Sequence, residues 1–313
     1  MNERQIDILC VGEVLIDFIG HQMDKPIHET KDYHRYLGGS PTNVAMNMAR
    51  LGMSTTMVAS VGKDGFGVYV KDKLKAAGIN TSYLRSLHST PTSVVFISRT
   101  TGTPDFIPYR EADCKIVSEQ LPEELLARTK VFHTSCFALS REPSRQTIVD
   151  KAKEARRLGC KISIDINYSE RIWPDRNQAV EVIREFCALD PLVKISEDDM
   201  ARLFNRQPTH QEIFSFFHDL GVTVVCLTLG SQGVKLSQQG SEQITLPAVK
   251  IEKVMDATGA GDAFWSGFLF AYLREKPMEK CLRTALMLAA LKLQNVGRLP
   301  ENVDVLSELL KIG

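Results

Sequence analysis

Two glycines and two aspartates fall within seven residues in the stretch Asp256-Ala257-Thr258-Gly259-Ala260-Gly261-Asp262. Glycines at 259 and 261 let the backbone fold tightly, so several N–H groups can point at one place. Beyond them, Ala263, Phe264, Gly267, Phe268 and Ala271 recur at helical spacing up to about Leu273. A helix N-terminus adds unpaired donors and partial positive charge, and together these make an anion site. A carboxylate inside an anion site repels a phosphate unless it has a task. Asp262 has one available: taking the proton of an alcohol as that alcohol attacks phosphorus. The same residues also read as a glycine turn with Asp262 as an N-cap. The stretch lacks the Gly-Lys-Ser/Thr of a P-loop and follows no strand with the dinucleotide fingerprint.

The elements that must hold this stretch alternate along the chain. Short apolar runs at residues 6–11, 56–61, 131–135, 161–166, 192–195 and 222–229 read as buried strands. Helical spacing fills residues 42–51, 66–77, 143–158, 177–188 and 211–220, with glycine stops at Gly52, Gly78, Gly159 and Gly221. Strands alternating with helices of about 10–15 residues predict βαβ units, a mostly parallel sheet and helices on both faces. Residues 14–37 and 90–117 break the rhythm with strands and turns and no helix, which predicts a small β element outside the main sheet, a lid. Without a Gly/Ser/Pro-rich linker or an internal repeat, residues 1–313 read as one domain with that excursion.

Charge and composition exclude rather than identify. Lys plus Arg and Asp plus Glu both number 38, so nothing steers the chain toward nucleic acid or an anionic membrane. The 7 cysteines are scattered without CxxC spacing, which predicts buried thiols in a reducing compartment rather than a zinc site or disulfides. The first residues lack a signal-peptide pattern, and the nearly apolar run 263–273 is far below the roughly 20 residues that span a bilayer. The expectation is a cytoplasmic protein.

Four motifs, in order, resemble the landmarks of the PfkB, or ribokinase-like, carbohydrate kinases. Asp256 to Asp262 resembles their C-terminal signature, and Gly38-Gly39-Ser40-Pro41-Thr42-Asn43-Val44-Ala45 their N-terminal one. Gly62-Lys63-Asp64-Gly65-Phe66-Gly67 and Thr228-Leu229-Gly230-Ser231-Gln232-Gly233 match two more. The set spans nearly the whole chain and implies a three-layer α/β fold with a β lid. It implies ATP-dependent phosphoryl transfer to a sugar, with Asp262 as base and the N–H groups of Gly259, Ala260 and Gly261 as the anion hole. By the same resemblance, Asp17, Gly38, Gly39 and Asn43 contact sugar, while Thr228, Gly230 and Gly233 form the nucleotide-side turn. Asn295 falls where the family places a residue near adenine, and reads equally as a plain helix C-cap.

Two departures bear on metal and substrate. The family's Asn-x-x-Glu appears here as Ser196-Glu197-Asp198-Asp199. Ser196 then stands on the nucleotide side, and Asp199 meets magnesium through water; the pair also reads as a capped helix start. Asp165-Ile166-Asn167-Tyr168-Ser169 resembles the Asp-Pro-Asn-Leu-Arg of fructokinases and 2-keto-3-deoxygluconate kinases, with Ser169 in place of the arginine. Tyr109-Arg110 matches the Phe-x-x-Tyr-Arg of the same groups, which places Tyr109, Arg110 and Asn167 at the sugar. Losing one cation favours a neutral sugar, fructose, over an acid sugar such as 2-keto-3-deoxygluconate. Other sugar kinases, a nucleoside kinase and a non-catalytic sugar sensor are the alternatives. The resemblance brings ATP and magnesium as cofactors, allows potassium at residues 256–258, and suggests a homodimer through the lid edges.

Overall fold

The computed structural model of the protein describes residues 4–100, 104–296 and 299. The chain opens with β1 (Ile6–Val11), β2 (Leu15–Met23), β3 (Tyr33–Gly38), α1 (Ser40–Arg50), β4 (Thr55–Gly62) and α2 (Gly65–Ala76). Three short strands follow, β5 (Leu84–Leu87), β6 (Val94–Arg99) and β7 (Phe106–Tyr109). The middle runs α3 (Glu123–Ala127), β8 (Thr129–Ser135), α4 (Ser144–Arg157), β9 (Lys161–Ile166), α5 (Arg176–Cys187), β10 (Leu192–Ser196), α6 (Glu197–Phe204) and α7 (His210–Asp219). The last described elements are β11 (Val224–Thr228), β12 (Val234–Gln238), β13 (Ile244–Leu246), α8 (Ala260–Leu273) and α9 (Met278–Leu293).

The main sheet has the order β13-β12-β11-β10-β9-β8-β1-β4-β5. It is parallel from β11 through β5, and the β12–β13 edge is antiparallel. Alternation along β1 explains the layers. Leu9 and Val11 join a cluster with Ile148 of α4, Ile183 of α5 and Phe214 of α7. Ile8 and Cys10, pointing the other way, join Val44 of α1, Leu74 of α2, Phe268 of α8 and Leu288 of α9. The helix stops hold: at Gly52, Gly78, Gly159 and Gly221 the backbone turns with positive φ.

The predicted strands and helices are present with ends moved by a few residues. Missing from the sequence reading were β5, α3 and the β12–β13 edge, all short, while the capped helix start at Ser196 is the beginning of α6. A second sheet of order β3-β2-β6-β7 stands apart from the main one. Leu15 and Ile19 of β2 and Val95 and Ile97 of β6 form their own small apolar cluster on its inner face. All seven cysteines are free and buried. No helix among the described residues is long and apolar enough to cross a membrane.

Candidate active site

Two helix starts meet at the C-terminal edge of the main sheet. The first begins at Gly39, whose φ of 104° belongs to glycine and whose missing side chain matters: a Cβ there would lie 2.3 Å from the Glu13 carbonyl oxygen. The second begins at Gly259, φ 76°. Every residue of α8 from Asp262 to Ala271 is buried. The helix is therefore apolar all round rather than on one face, as a helix enclosed by neighbours must be. Trp265 and Phe268 are fully buried on it, each contributing about 1.5–3 kcal/mol to its anchorage. Asn47 of α1 donates to Ser266 Oγ of α8 at 3.2 Å, locking the two helices together.

That packing aims Asp262. Ser40 Oγ donates to its Oδ1 at 2.6 Å and Asn43 Nδ2 to its Oδ2 at 2.8 Å. Burial raises the Asp262 pKa, opposed by the bonds from Ser40 and Asn43 and by the charges of Lys194 and Lys292. A raised pKa makes a carboxylate a stronger base at neutral pH. The arrangement is buttressed by Glu13, which accepts from Ser40 N at 2.9 Å and from Ser135 Oγ at 2.7 Å. Burial pushes the Glu13 carboxyl up to about 8.

Asp262 lies on a cavity of about 600 Å³ lined also by Asp17, Gly39, Asn43, Asn167, Gly259 and Gly261, with Leu15, Val95 and Ile97 of the small sheet across from it. Burial first, then the charges of Asp262 and Asp256, push Asp17 up to about 7. Gly38 stands one step back. A Cβ on it would come within 2.3 Å of the Asp17 carboxylate, so its smallness makes room for Asp17. Asn167 lines the cavity with its Oδ1 accepting from Phe137 N at 3.0 Å. At the start of α8, the Ala260 N–H donates to the Ala257 carbonyl at 3.2 Å. Gly259 and Gly261 on either side of it line the cavity.

Tyr109 and Arg110 do not reach this cavity. Tyr109 pairs with Val94 across β7–β6, and the alternation of strand side chains puts it on the sheet's outer face, 59% exposed. Arg110 is buried in an ion pair, its Nε and Nη2 on Asp113 Oδ2 at 2.8 and 2.6 Å. Its Nη1 donates to Ser140 Oγ, and it stacks 4.0 Å from the Phe137 ring centroid. A buried guanidinium needs a carboxylate near at hand, and Asp113 three residues on supplies it.

The residues expected on the nucleotide side follow the same sheet edge. Ser196 and Thr228 are neighbours in the β10–β11 register at its C-terminal end. Ser196 caps α6, accepting from Asp199 N at 3.0 Å while donating to Asp199 Oδ2 at 2.5 Å. Asp199 lines the cavity and also binds Arg202 at 2.5 Å. Gly233 is required by packing, since a Cβ would lie 2.1 Å from the Leu246 carbonyl, whereas Gly230 faces open space in the turn after β11. Asn295 sits just past α9, its Nδ2 on the Leu291 carbonyl at 2.8 Å.

Two lysines beside the cavity went unnoticed in the sequence, and Asp165, quoted there only as part of a motif, was given no role. Lys194 is buried in β10 and paired with Asp165 at 2.9 Å. Its Nζ would lie 2.8 Å from a Cβ on Gly261, so its charge backs the helix start. Burial alone would lower the Lys194 pKa, but Asp165, then Asp199 and Asp262, outweigh it and hold the ammonium above its ordinary value. The second lysine, Lys292, is buried against Asp256. The available signal was a charge at an apolar position: Lys194 amid Leu192, Val193 and Ile195, Asp165 amid Ile164 and Ile166, and Lys292 in line with Cys281, Ala285 and Leu288.

The profile described as pfkB family carbohydrate kinase matches residues 5–302. The chain belongs to this family. Among its PfkB relatives is an ATP-dependent 6-phosphofructokinase of Thermoanaerobacterium thermosaccharolyticum, 34% identical across 97% of this chain and 93% of the relative. Probable fructokinase-7 of Arabidopsis thaliana is 30% identical across 97% and 92%. The structure of Halothermothrix orenii fructokinase superposes with a TM-score of 0.81 at 34% identity, over 91% of this chain and 98% of that one. The chain is thus a PfkB carbohydrate kinase, with the α/β fold its motifs implied.

Proposed function

We propose that this PfkB kinase transfers the γ-phosphoryl group of ATP to a primary hydroxyl of a neutral ketohexose, fructose. The observation that carries this reading is the Asp262 carboxylate, held by Ser40 and Asn43 at the start of α8 and opening onto a cavity with Asp17. The sugar hydroxyl binds against Asp262. Its oxygen forms the new bond to the γ-phosphorus as the bond to the bridging oxygen breaks, and its proton passes to Asp262, leaving ADP. Gly259, Ala260 and Gly261 form the anion hole, with Lys194 behind it. Such donors, aimed where charge gathers, contribute about 3–4 kcal/mol each in water-excluded sites. For Ala260 this requires release from the Ala257 carbonyl as the anion arrives. Asp17, Gly39, Asn43 and Asn167 hold the sugar, and Ser196, Thr228, Gly230, Gly233 and Asn295 flank the nucleotide. Magnesium offsets the triphosphate charge when bound; Asp199 fits it through a coordinated water, because Ser196 and Arg202 already engage both of its oxygens.

Charge supports a neutral substrate. Among the described residues, three cations line the cavity, and each already has a carboxylate: Lys194 with Asp165, Arg171 with Asp105 and Arg202 with Asp199. Glu13, Asp17 and Asp262 line it as well. An acid sugar such as 2-keto-3-deoxygluconate would have to displace one of those carboxylates, at a small cost only for the half-exposed Arg171–Asp105 pair.

A second reading, a 6-phosphorylated ketohexose, is favoured by Arg171. Its pair with Asp105 is half-exposed at 52% and 45%, worth at most about 1 kcal/mol, so a phosphate can replace the carboxylate. Coupled ADP release with fructose, fructose 6-phosphate, ribose, 2-keto-3-deoxygluconate and a nucleoside decides the matter. Fructose is expected to lead in kcat/KM by tenfold or more, and a clear preference for another acceptor would overturn the assignment.

The small sheet acts as a lid that excludes water, a competing acceptor. Its outer face supports a homodimer: Phe18, Tyr33, Phe96 and Tyr109 form an aromatic cluster there. Light scattering should report a dimer, and a strict monomer would refute the contact.

A further inference from the structure

Lys292 occupies a core position of α9 and is 3% exposed. Its Nζ faces three oxygens: the Asp256 carbonyl at 3.3 Å, Asp256 Oδ2 at 3.4 Å and the Asn295 carbonyl at 3.2 Å. An ammonium has three donors, so three oxygens satisfy it. The Asn295 carbonyl follows the C-terminus of α9, an end that favours a cation. The other oxygen of the Asp256 carboxylate accepts from Thr258 N at 2.9 Å, which ties the ammonium to the loop leading into α8. The stem of the lysine passes behind the helix start. A Cβ on Gly259 would lie 3.8 Å from Lys292 Cε and 3.7 Å from Asp262 Oδ2.

This is the loop where potassium would bind, and its residues do not fit that ion. The oxygens of Asp256 that would ligate it already face a unit positive charge fixed to the chain, and a second cation beside that charge is repelled. We propose that Lys292 is a tethered cation that takes the place of a monovalent metal ion. Its ammonium holds the 256–258 loop and the start of α8 in register, so phosphoryl transfer by this chain is independent of potassium. Lys292 acts through the loop and is a positioning residue. The inference rests on the anion-hole reading of Gly259 to Gly261.

The test has an activity arm and a melting arm. Wild-type turnover, with whichever sugar the panel selects, is expected to agree within about twofold in potassium, sodium and tetramethylammonium chloride at equal ionic strength. Lys292→Met keeps the stem and removes the charge. Its kcat should fall tenfold or more in tetramethylammonium and be restored several-fold by potassium or ammonium. Without any sugar, potassium should raise the melting temperature of Lys292→Met and leave that of the wild type unmoved, a readout that stands even if every sugar in the panel fails. A tenfold activation of the wild type by potassium would overturn the proposal, and this arm decides alone if the variant does not fold. Full activity of Lys292→Met in tetramethylammonium would overturn it too, as would a folded variant that no monovalent cation rescues or stabilises.

Discussion

Replacing Asp262 by asparagine removes one proton acceptor and leaves the surrounding contacts almost intact. The asparagine carbonyl can accept from Asn43 Nδ2, 2.8 Å from the present Oδ2. Its NH2 can donate to Ser40 Oγ, 2.6 Å from the present Oδ1, because a hydroxyl accepts as well as donates. What disappears is basicity. A positioned general base contributes about 10²–10⁴-fold, or roughly 3–5 kcal/mol at 1.36 kcal/mol per tenfold. Asp262 is only 9% exposed, so bulk water cannot stand in for it, and the upper half of that range is expected. Stability should move the other way. The folded pKa of Asp262 is raised above its ordinary value of 3.8, so the folded state holds its proton to higher pH than the unfolded chain does. The wild type therefore loses stability as pH rises from that ordinary value through the raised one, and Asp262→Asn does not. Coupled ADP release at saturating sugar and ATP gives kcat, and thermal melts at pH 5 and pH 8 give stability. A kcat within about tenfold of wild type would refute the base assignment. A melting temperature well below wild type at both pH values would refute the hydrogen-bond reasoning.

Asp17→Asn should raise the sugar KM about tenfold to a hundredfold, the cost of a charge-assisted hydrogen bond. The charge of Asp262 raises the Asp17 pKa, and repulsion between two like charges acts on both, so the acid limb of the kcat profile should move to lower pH in this variant, and an unmoved limb would refute the coupling. Arg110→Met should lower stability by about 3–5 kcal/mol in urea titrations, since Asp113 is left buried without its partner. Its sugar KM should stay within about twofold; intact stability with lost sugar affinity would return Arg110 to the sugar site. Arg171→Ala cuts the ties to Asp105 and to the Phe106 carbonyl at 2.7 Å that join the cavity rim to the lid hairpin. Melting should be unchanged, while kcat/KM for sugar falls several-fold, more at low salt than at high salt.

The sequence by itself determined the layers. Apolar runs of strand length, helical spacing and terminal glycines are local signals, and the main strands and helices appeared within a few residues of where those signals put them. It also located the helix start at Gly259 to Asp262, because a glycine turn, an acid and an apolar helix are contiguous in the chain. Tertiary structure decided everything that depends on partners far apart in sequence. Ser40 and Asn43 lie more than 200 positions from Asp262, and only the packing of α1 on α8 makes them its holders. Strand alternation turned Tyr109 outward, and a nearby Asp113 drew Arg110 into the interior. Lys194 and Lys292 looked like ordinary lysines until burial gave each a carboxylate. A charge in an apolar pattern says that a partner must exist, because burying it alone costs too much; which residue answers it is settled by the fold.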